Sequence, residues 1–372
     1  MAHSYERLVR SSLAELRPYE PGKPVEEVQR ELGLERVVKL ASNEGPFGPF
    51  PEALAALERS AGELNRYPDG GAYRLRAAIA ERSDVAFEEV AFGSGADGVI
   101  DNLSQALLDR DDEVVLGWPS FPSYAIYAAK LGASAVQVPL RDHRYDLDAL
   151  LEAVTARTKI VYVCHPNNPT GTMNVRAELD AYFERVPGHV LTVLDQAYLE
   201  YIDDPDYPDG IAEYFKAGRS VVVVRTFSKI YGLAGLRVGY GIGPAELVAA
   251  ISKTRRAFDL STAAQEAALA SLDAHEELAR RRRLNAEGRE QLDRILRAHD
   301  LRTSPATANF VYASLGEEAQ PLFEALLREG VIVRPLAGFG DAEAIRVTVG
   351  TEEEHAFLDE ALARVKARSA SS

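Results

Sequence analysis

The sequence is poor in several chemically useful residues. Of 372 residues one is cysteine (Cys164), two are methionine, one is tryptophan and seven are histidine. A single thiol excludes an intrachain disulfide framework and a multi-thiolate metal site, so no metal centre is predicted and a reducing compartment is expected. No run approaches 18 apolar residues, and residues 1–17 mix charge with short apolar pieces. Neither a membrane span nor a signal peptide is therefore predicted, and the expected location is cytoplasmic. Positive charge is also short: 42 basic residues face 57 acidic ones, a net charge of −15. Nucleic acid and anionic membranes are poor partners for such a chain. Lysine is the scarcer base, eight of the 42. Any chemistry that needs an amine has few candidates.

What is present describes a soluble globular chain. At 46% hydrophobic and 27% charged, and with 372 residues, it can bury a large core and form more than one domain. Residues 1–45 read as an arm, with turn signals at Arg17-Pro18-Tyr19 and Pro21-Gly22-Lys23-Pro24. Residues 42–51 form a loop and 52–60 a helix, with Leu54 and Leu57 on one face. From about 88 to 245, apolar runs at 113–118, 135–140, 159–165, 190–194, 220–225 and 237–242 alternate with segments of helical period. Near-continuous β-branched runs such as Val221 to Val224 suit strands buried on both faces, which predicts a mainly parallel sheet flanked by helices. Residues 246–299 are helical, and their basic stretch 280–283 reads as a solvated face or salt-bridge partner. Beyond Ser304-Pro305 a smaller α/β unit follows, with strands at 309–313, 331–334 and 344–349 and helices at 319–329 and 352–367. The expected division is an arm over 1–45, a large domain over 46–255 and a small C-terminal domain over 256–372.

Two candidate sites emerge. Gly93-Ser94-Gly95-Ala96-Asp97-Gly98 fits G-x-G-x-x-G between a short strand and a helix, the pattern of a dinucleotide-binding turn in an NAD-dependent oxidoreductase. That reading wants an acid at the end of the next strand, where Trp118 stands, and a more apolar first strand. A phosphate held by backbone N–H groups at the helix start remains open, as does a tight turn with no ligand.

The second site is a set of strand ends. Residues 220–229 run from a buried strand into Thr226, Ser228 and Lys229, with Arg237 close behind, and ligands of open α/β sheets sit beyond the carboxyl ends of strands. Asp195-Gln196-Ala197-Tyr198 ends another run, and His165-Pro166-Asn167-Asn168-Pro169-Thr170-Gly171 a third. A Schiff-base lysine, a carboxylate for a pyridinium nitrogen, a phenol and an amide for a ring oxygen, and a phosphate cup are together what pyridoxal 5'-phosphate requires.

On these residues the chain resembles the fold-type I pyridoxal phosphate-dependent aminotransferases and, within them, the histidinol-phosphate aminotransferase family. The pieces that carry the resemblance run from about 17 to 350. They are Leu40 to Pro49, Arg66-Tyr67-Pro68-Asp69, Gly95-Ala96-Asp97, Trp118 to Tyr124, Asn167 to Gly171, Asp195 to Tyr198, Arg225 to Lys229 with Gly235-Leu236-Arg237, Ala308-Asn309-Phe310, and Ile345 to Gly350. The resemblance implies an α/β fold with a large mainly parallel domain and a smaller C-terminal one, and a homodimer with shared active sites. It implies that Lys229 forms the internal aldimine and shuttles the proton. It further implies that Tyr124 stacks on the ring, that Asp195 pairs with the ring nitrogen, and that Asn168 and Tyr198 hold the ring oxygen. Ala96 and Asp97 (main chain), Ser228 and Arg237 would bind the phosphate. Tyr67 would reach the neighbouring subunit's cofactor and Tyr19 cover its substrate. Asn43 would border the substrate, and Arg334 and Arg346 would clamp its anionic end. The implied reaction is ping-pong transfer from L-histidinol phosphate to 2-oxoglutarate, with aromatic amino acids such as phenylalanine as alternative donors. Three positions depart from the family pattern: Gln196 where Glu is usual, Gly98 where an acid often stands, and Gly45 in place of Asn.

Overall fold

The computed structural model describes residues 8–14, 16, 18 and 21–369. After the helix Val25–Leu32, the arm contributes a short strand, β1 (Val38–Lys39). The chain then builds a seven-stranded sheet from β2 (Val90–Ser94), β3 (Glu113–Trp118), β4 (Ser134–Pro139), β5 (Thr158–Cys164), β6 (Leu191–Asp195), β7 (Val221–Thr226) and β8 (Val238–Ile242). Their spatial order is β2-β8-β7-β6-β5-β3-β4. Pairing is parallel from β4 through β3, β5 and β6 to β7, and antiparallel where β8 meets β7 and β2. The four valines of β7 and most of β5 and β6 are buried, as a sheet covered on both faces requires.

The antiparallel direction of β8, within a mainly parallel sheet, has a simple reason. A parallel neighbour needs a crossover, usually a helix, whereas residues 227–237 hold only a short 3-10 turn, Ala234–Leu236. The chain therefore reverses and returns beside β7. This topology also disposes of the dinucleotide reading. The strand before the glycine turn, β2, sits at one edge of the sheet and pairs antiparallel with β8, while the next strand, β3, lies toward the other end of the order. A dinucleotide turn joins neighbouring parallel strands.

The later strands are β9 (Arg302–Thr303), β10 (Phe310–Ser314), β11 (Val331–Ile332), β12 (Arg334–Pro335) and β13 (Ala344–Thr348). Four of them form a second, antiparallel sheet in the order β12-β13-β10-β9. The run 331–334, expected as one strand, is divided: β11 pairs in parallel with β1 of the arm, and β12 joins β13. The core of this second layer includes Val38, Leu40, Leu292, Leu296, Val311, Val347 and Leu358. The core of the large sheet runs from Phe50 to Ala274. The boundary expected at 255 falls inside it, because the helix Thr262–Ser271 packs on Pro51–Ser60. We place the division at the helix His275–Ala298, whose Leu292 and Leu296 belong to the second core. Among the described residues no helix is long and apolar enough to cross a membrane.

Candidate active site

An open cleft of about 660 Å³ lies at the carboxyl ends of the parallel strands, where the second layer faces the first. Its walls include Asn43, Ala96, Asp97, Asn168, Asp195, Tyr198, Ser228, Lys229, Arg237 and Arg346. Predicted site residues scattered from position 43 to position 346 thus meet in one place.

At one end an anion cup forms where β2 passes into the helix Gly95–Leu107, whose first N–H groups lack intrahelical partners. Arg237 reaches into it, donating from Nη1 to Ser228 Oγ at 3.3 Å and from Nη2 to the Ser94 carbonyl at 3.3 Å. Close packing makes the cup possible. A Cβ on Gly239 would lie 2.3 Å from the Ala96 nitrogen, and one on Gly95 (φ +78°) 2.6 Å from Arg237 Nη2. The Asp97 carboxylate itself is held by the Tyr127 hydroxyl at 2.6 Å.

At the centre stands Lys229, on the loop after β7, with Nζ 5.5 Å from the Tyr198 ring centroid. Burial, then the positive charges of Arg346 and Arg237, brings its ammonium down to about 8, against the opposing pull of Glu44 and Asp195. Asp195, at the end of β6, is buried and its pKa is raised by burial, while the Tyr124 hydroxyl at 2.7 Å, the Ala197 N–H at 3.0 Å and Lys229 favour its charge. The Tyr198 hydroxyl accepts from Asn43 Nδ2 at 2.9 Å, which leaves its own proton free to donate. Asn168 Oδ1 accepts from Arg346 Nη1, which leaves its amide hydrogens available. Arg346 also donates from Nη2 to the Ala41 carbonyl at 2.7 Å, and its guanidinium lies over Phe310 and Phe339, 5.3 Å from each centroid.

Three of the predicted residues that the structure describes do not line the cleft. Tyr124 does not border the cleft: it is fully buried, stacked on Tyr162 at 4.5 Å, with its hydroxyl on Asp195. The aromatic wall is Phe121, three residues earlier, which sequence reasoning passed over although it belongs to the same Trp118 to Tyr124 segment. Arg334 sits opposite Arg346 in the β12–β13 pair, over Phe339, and does not line the cleft. Tyr67 is 82% exposed and stacks on Phe258 at 4.6 Å, outside the cleft. Tyr19 lies outside the described residues. The basic stretch is partly structural: Arg281 is buried, pairs with Glu277 and donates to the Ile230 carbonyl beside Lys229, while Arg282 donates to the Glu200 carbonyl. Gln196 is fully buried, donating to the Pro208 carbonyl at 2.8 Å and accepting from Arg225 at 3.1 Å, so it needs both halves of its amide.

A perturbed amine, a buried carboxylate and a guanidinium-lined anion cup, all beyond the carboxyl edge of a mainly parallel sheet, define a lysine-centred group-transfer enzyme. The sequence matches aminotransferase class I and II over residues 35–365, and the chain belongs to that family. It is 41% identical to the histidinol-phosphate aminotransferase of Moorella thermoacetica over 96% of this chain and 93% of that one. It is 42% identical to histidinol-phosphate aminotransferase 2 of Pseudomonas fluorescens over 99% and 100%. Among solved structures, histidinol-phosphate aminotransferase from Sinorhizobium meliloti in complex with pyridoxal-5'-phosphate superposes with a TM-score of 0.88 at 28% identity, covering 97% of this chain and 98% of that one.

Proposed function

We propose that the chain is a pyridoxal 5'-phosphate-dependent aminotransferase that takes L-histidinol phosphate as amino donor and 2-oxoglutarate as acceptor, in histidine biosynthesis. The observation that carries this reading is the meeting of Lys229, the Asp195 carboxylate and the Ser228–Arg237 anion cup in one cleft. The donor set fits the cofactor in charge and kind: an anion site, an amine and a buried carboxylate. The relatives' names supply the choice of substrate. When bound, pyridoxal phosphate supplies an aldehyde for the amine and a ring that accepts an electron pair.

The residues divide the remaining work. The Ala96 and Asp97 N–H groups, Ser228 and Arg237 hold the phosphate. Asp195 pairs with the ring nitrogen and keeps a positive charge there. Asn168 and Tyr198 would donate to the ring oxygen, and Phe121 would give the ring an aromatic surface. Lys229, with its ammonium held at about 8, is available as the neutral amine that takes a proton from the substrate carbon and returns it to another position. Arg346, with Arg334 behind it, receives the substrate's anionic group through a planar fork.

The active form in this reading is a cytoplasmic homodimer. Tyr67 (82% exposed), stacked on the exposed Phe258, leaves apolar surface that a second copy would cover. Tyr67 would then reach the neighbour's cofactor.

The test is the absorption spectrum of the purified protein with each donor. Histidinol phosphate should bleach the visible band with a kcat/KM far above that for phenylalanine, and Lys229→Ala should lose both band and turnover. Preference for phenylalanine would move the assignment to an aromatic aminotransferase, and Lys229→Ala that keeps band and turnover would refute it altogether. A fully active monomer in sedimentation would refute the dimer.

A further inference from the structure

Tyr124 begins as an oddity of burial. It stands in the first turn of the helix Ser123–Leu131 and is fully buried. A buried phenol is costly unless its hydroxyl finds a partner. The partner is Asp195 Oδ2 at 2.7 Å. The direction of that bond is set from behind. The Tyr124 ring lies nearly parallel to Tyr162, with centroids 4.5 Å apart and planes 10° apart. Tyr162 is itself held by a hydrogen bond between its hydroxyl and Ser104 Oγ at 3.0 Å. Phe121 meets the same Tyr124 ring edge-on at 5.5 Å, so the cleft's aromatic wall and the phenol brace one another. The other Asp195 oxygen accepts the Ala197 N–H at 3.0 Å. One donor on each oxygen leaves the carboxylate no free rotation about its last bond.

We propose that Tyr124 is a positioning residue, whose hydroxyl fixes Asp195 in the orientation and charge state in which it pairs with the ring nitrogen of bound pyridoxal phosphate. The proposal rests on the cofactor reading above. A protonated Asp195 lacks the negative charge that keeps a proton on the ring nitrogen, so the charged pair forms only while the carboxylate is ionised. Burial works against that ionisation, and the nearby Asp97 charge adds to it. Lys229, the Ala197 N–H and Tyr124 work for it, and among these Tyr124 pulls hardest. The remaining neighbours, Cys164, Tyr145 and Tyr198, are kept neutral because burial pushes each of them up. The phenol is thus the main protein device that holds a buried carboxylate charged.

The experiment compares wild type, Tyr124→Phe, Asp195→Asn and the double variant. Equilibrium dialysis gives each affinity for pyridoxal phosphate, and carbon-13 NMR of the cofactor-free protein gives the Asp195 titration in the two proteins that retain it. Tyr124→Phe keeps the ring and its stacking and removes one hydrogen bond to a charged group. It should weaken cofactor affinity about tenfold and move the Asp195 titration to higher pH by about one unit. In the Asp195→Asn background the same change should have little further effect, the mark of action through Asp195 rather than through packing. The proposal is overturned if the titration and affinity of Tyr124→Phe match wild type. It is equally overturned if Tyr124→Phe costs as much affinity in the Asp195→Asn background as it does in the wild-type background. Wild type that takes up no pyridoxal phosphate overturns the cofactor reading and this proposal together, which separates that failure from the others.

Discussion

Gly95→Ala tests the anion cup with the smallest possible change. Gly95 has φ +78° and its Cβ would lie 2.6 Å from Arg237 Nη2, with the guanidinium carbon at 3.2 Å. The backbone strain costs about 1–2 kcal/mol of stability. The steric conflict, by contrast, is with the end of a flexible side chain. Arg237 relieves it by retreating about 0.8 Å, the difference between 2.6 Å and an ordinary 3.4 Å contact. That retreat breaks the 3.3 Å bonds to Ser228 Oγ and the Ser94 carbonyl that aim the guanidinium. The fold therefore survives and the cup fails. Losing one well-placed bond between Arg237 and a phosphate costs about 1.5–3 kcal/mol, or about 10- to 100-fold in affinity. Spectral titration of the cofactor-free variant with pyridoxal phosphate measures this directly, and circular dichroism checks the fold. Wild-type affinity in a folded Gly95→Ala protein would refute the placement of the phosphate at Arg237 and the helix start.

Other outcomes follow from the same geometry. Because the neutral amine is the nucleophile and Lys229 is held at about 8, capture of pyridoxal phosphate by the cofactor-free protein should quicken about tenfold per pH unit below 8 and level off above it. Removing a neighbouring positive charge with Arg346→Gln raises the Lys229 pKa and should move that plateau to higher pH; stopped-flow rates that climb unchanged to pH 10 in both proteins would contradict the electrostatics. Arg346→Lys keeps the charge but loses the fork that spans Asn168 and the Ala41 carbonyl, so KM for both substrates should rise about 10- to 100-fold, with a smaller fall in kcat. Steady-state kinetics in which kcat alone falls would contradict that role. Gly340→Ala would set a Cβ 1.9 Å from Trp118 Nε1 at φ +98°, where a rigid ring cannot withdraw. Denaturant titration should show a loss of about 2–4 kcal/mol, and an unchanged midpoint would mean that the loop repacks freely.

Apolar periodicity located nearly every strand of the large sheet, since runs such as Val221–Val224 are stable only where both faces are covered. It could not give strand direction. That depended on the absence of a helix between Thr226 and Val238, a property of the connection rather than of either strand. The limit of the large core was equally hidden. The helices Ala245–Thr254 and Thr262–Ser271 look alike in composition, and only long-range packing on Pro51–Ser60 assigns the second of them to the large core. Residues whose chemistry is distinctive near a strand end, such as Lys229, Asp195 and Arg237, were legible as a set, and they line one cleft. Phe121 and Tyr124 were not separable. Both are aromatic and three residues apart, and what tells them apart is the stacking of Tyr124 on Tyr162, a residue of β5 distant in sequence.

The clasp between the two ends of the chain has a consequence for synthesis. The Ala41 carbonyl and the backbone of Asn43 are tied to Arg346 and Thr348, partners 305 positions away. A nascent chain on the ribosome carries the amine and the anion cup long before Arg346 emerges. It cannot complete the wall of the cleft that Arg346 forms until nearly all of the polypeptide has been made. Catalytic competence thus arrives late in the birth of each molecule, and a chain truncated at either end forfeits its reaction at a single shared seam.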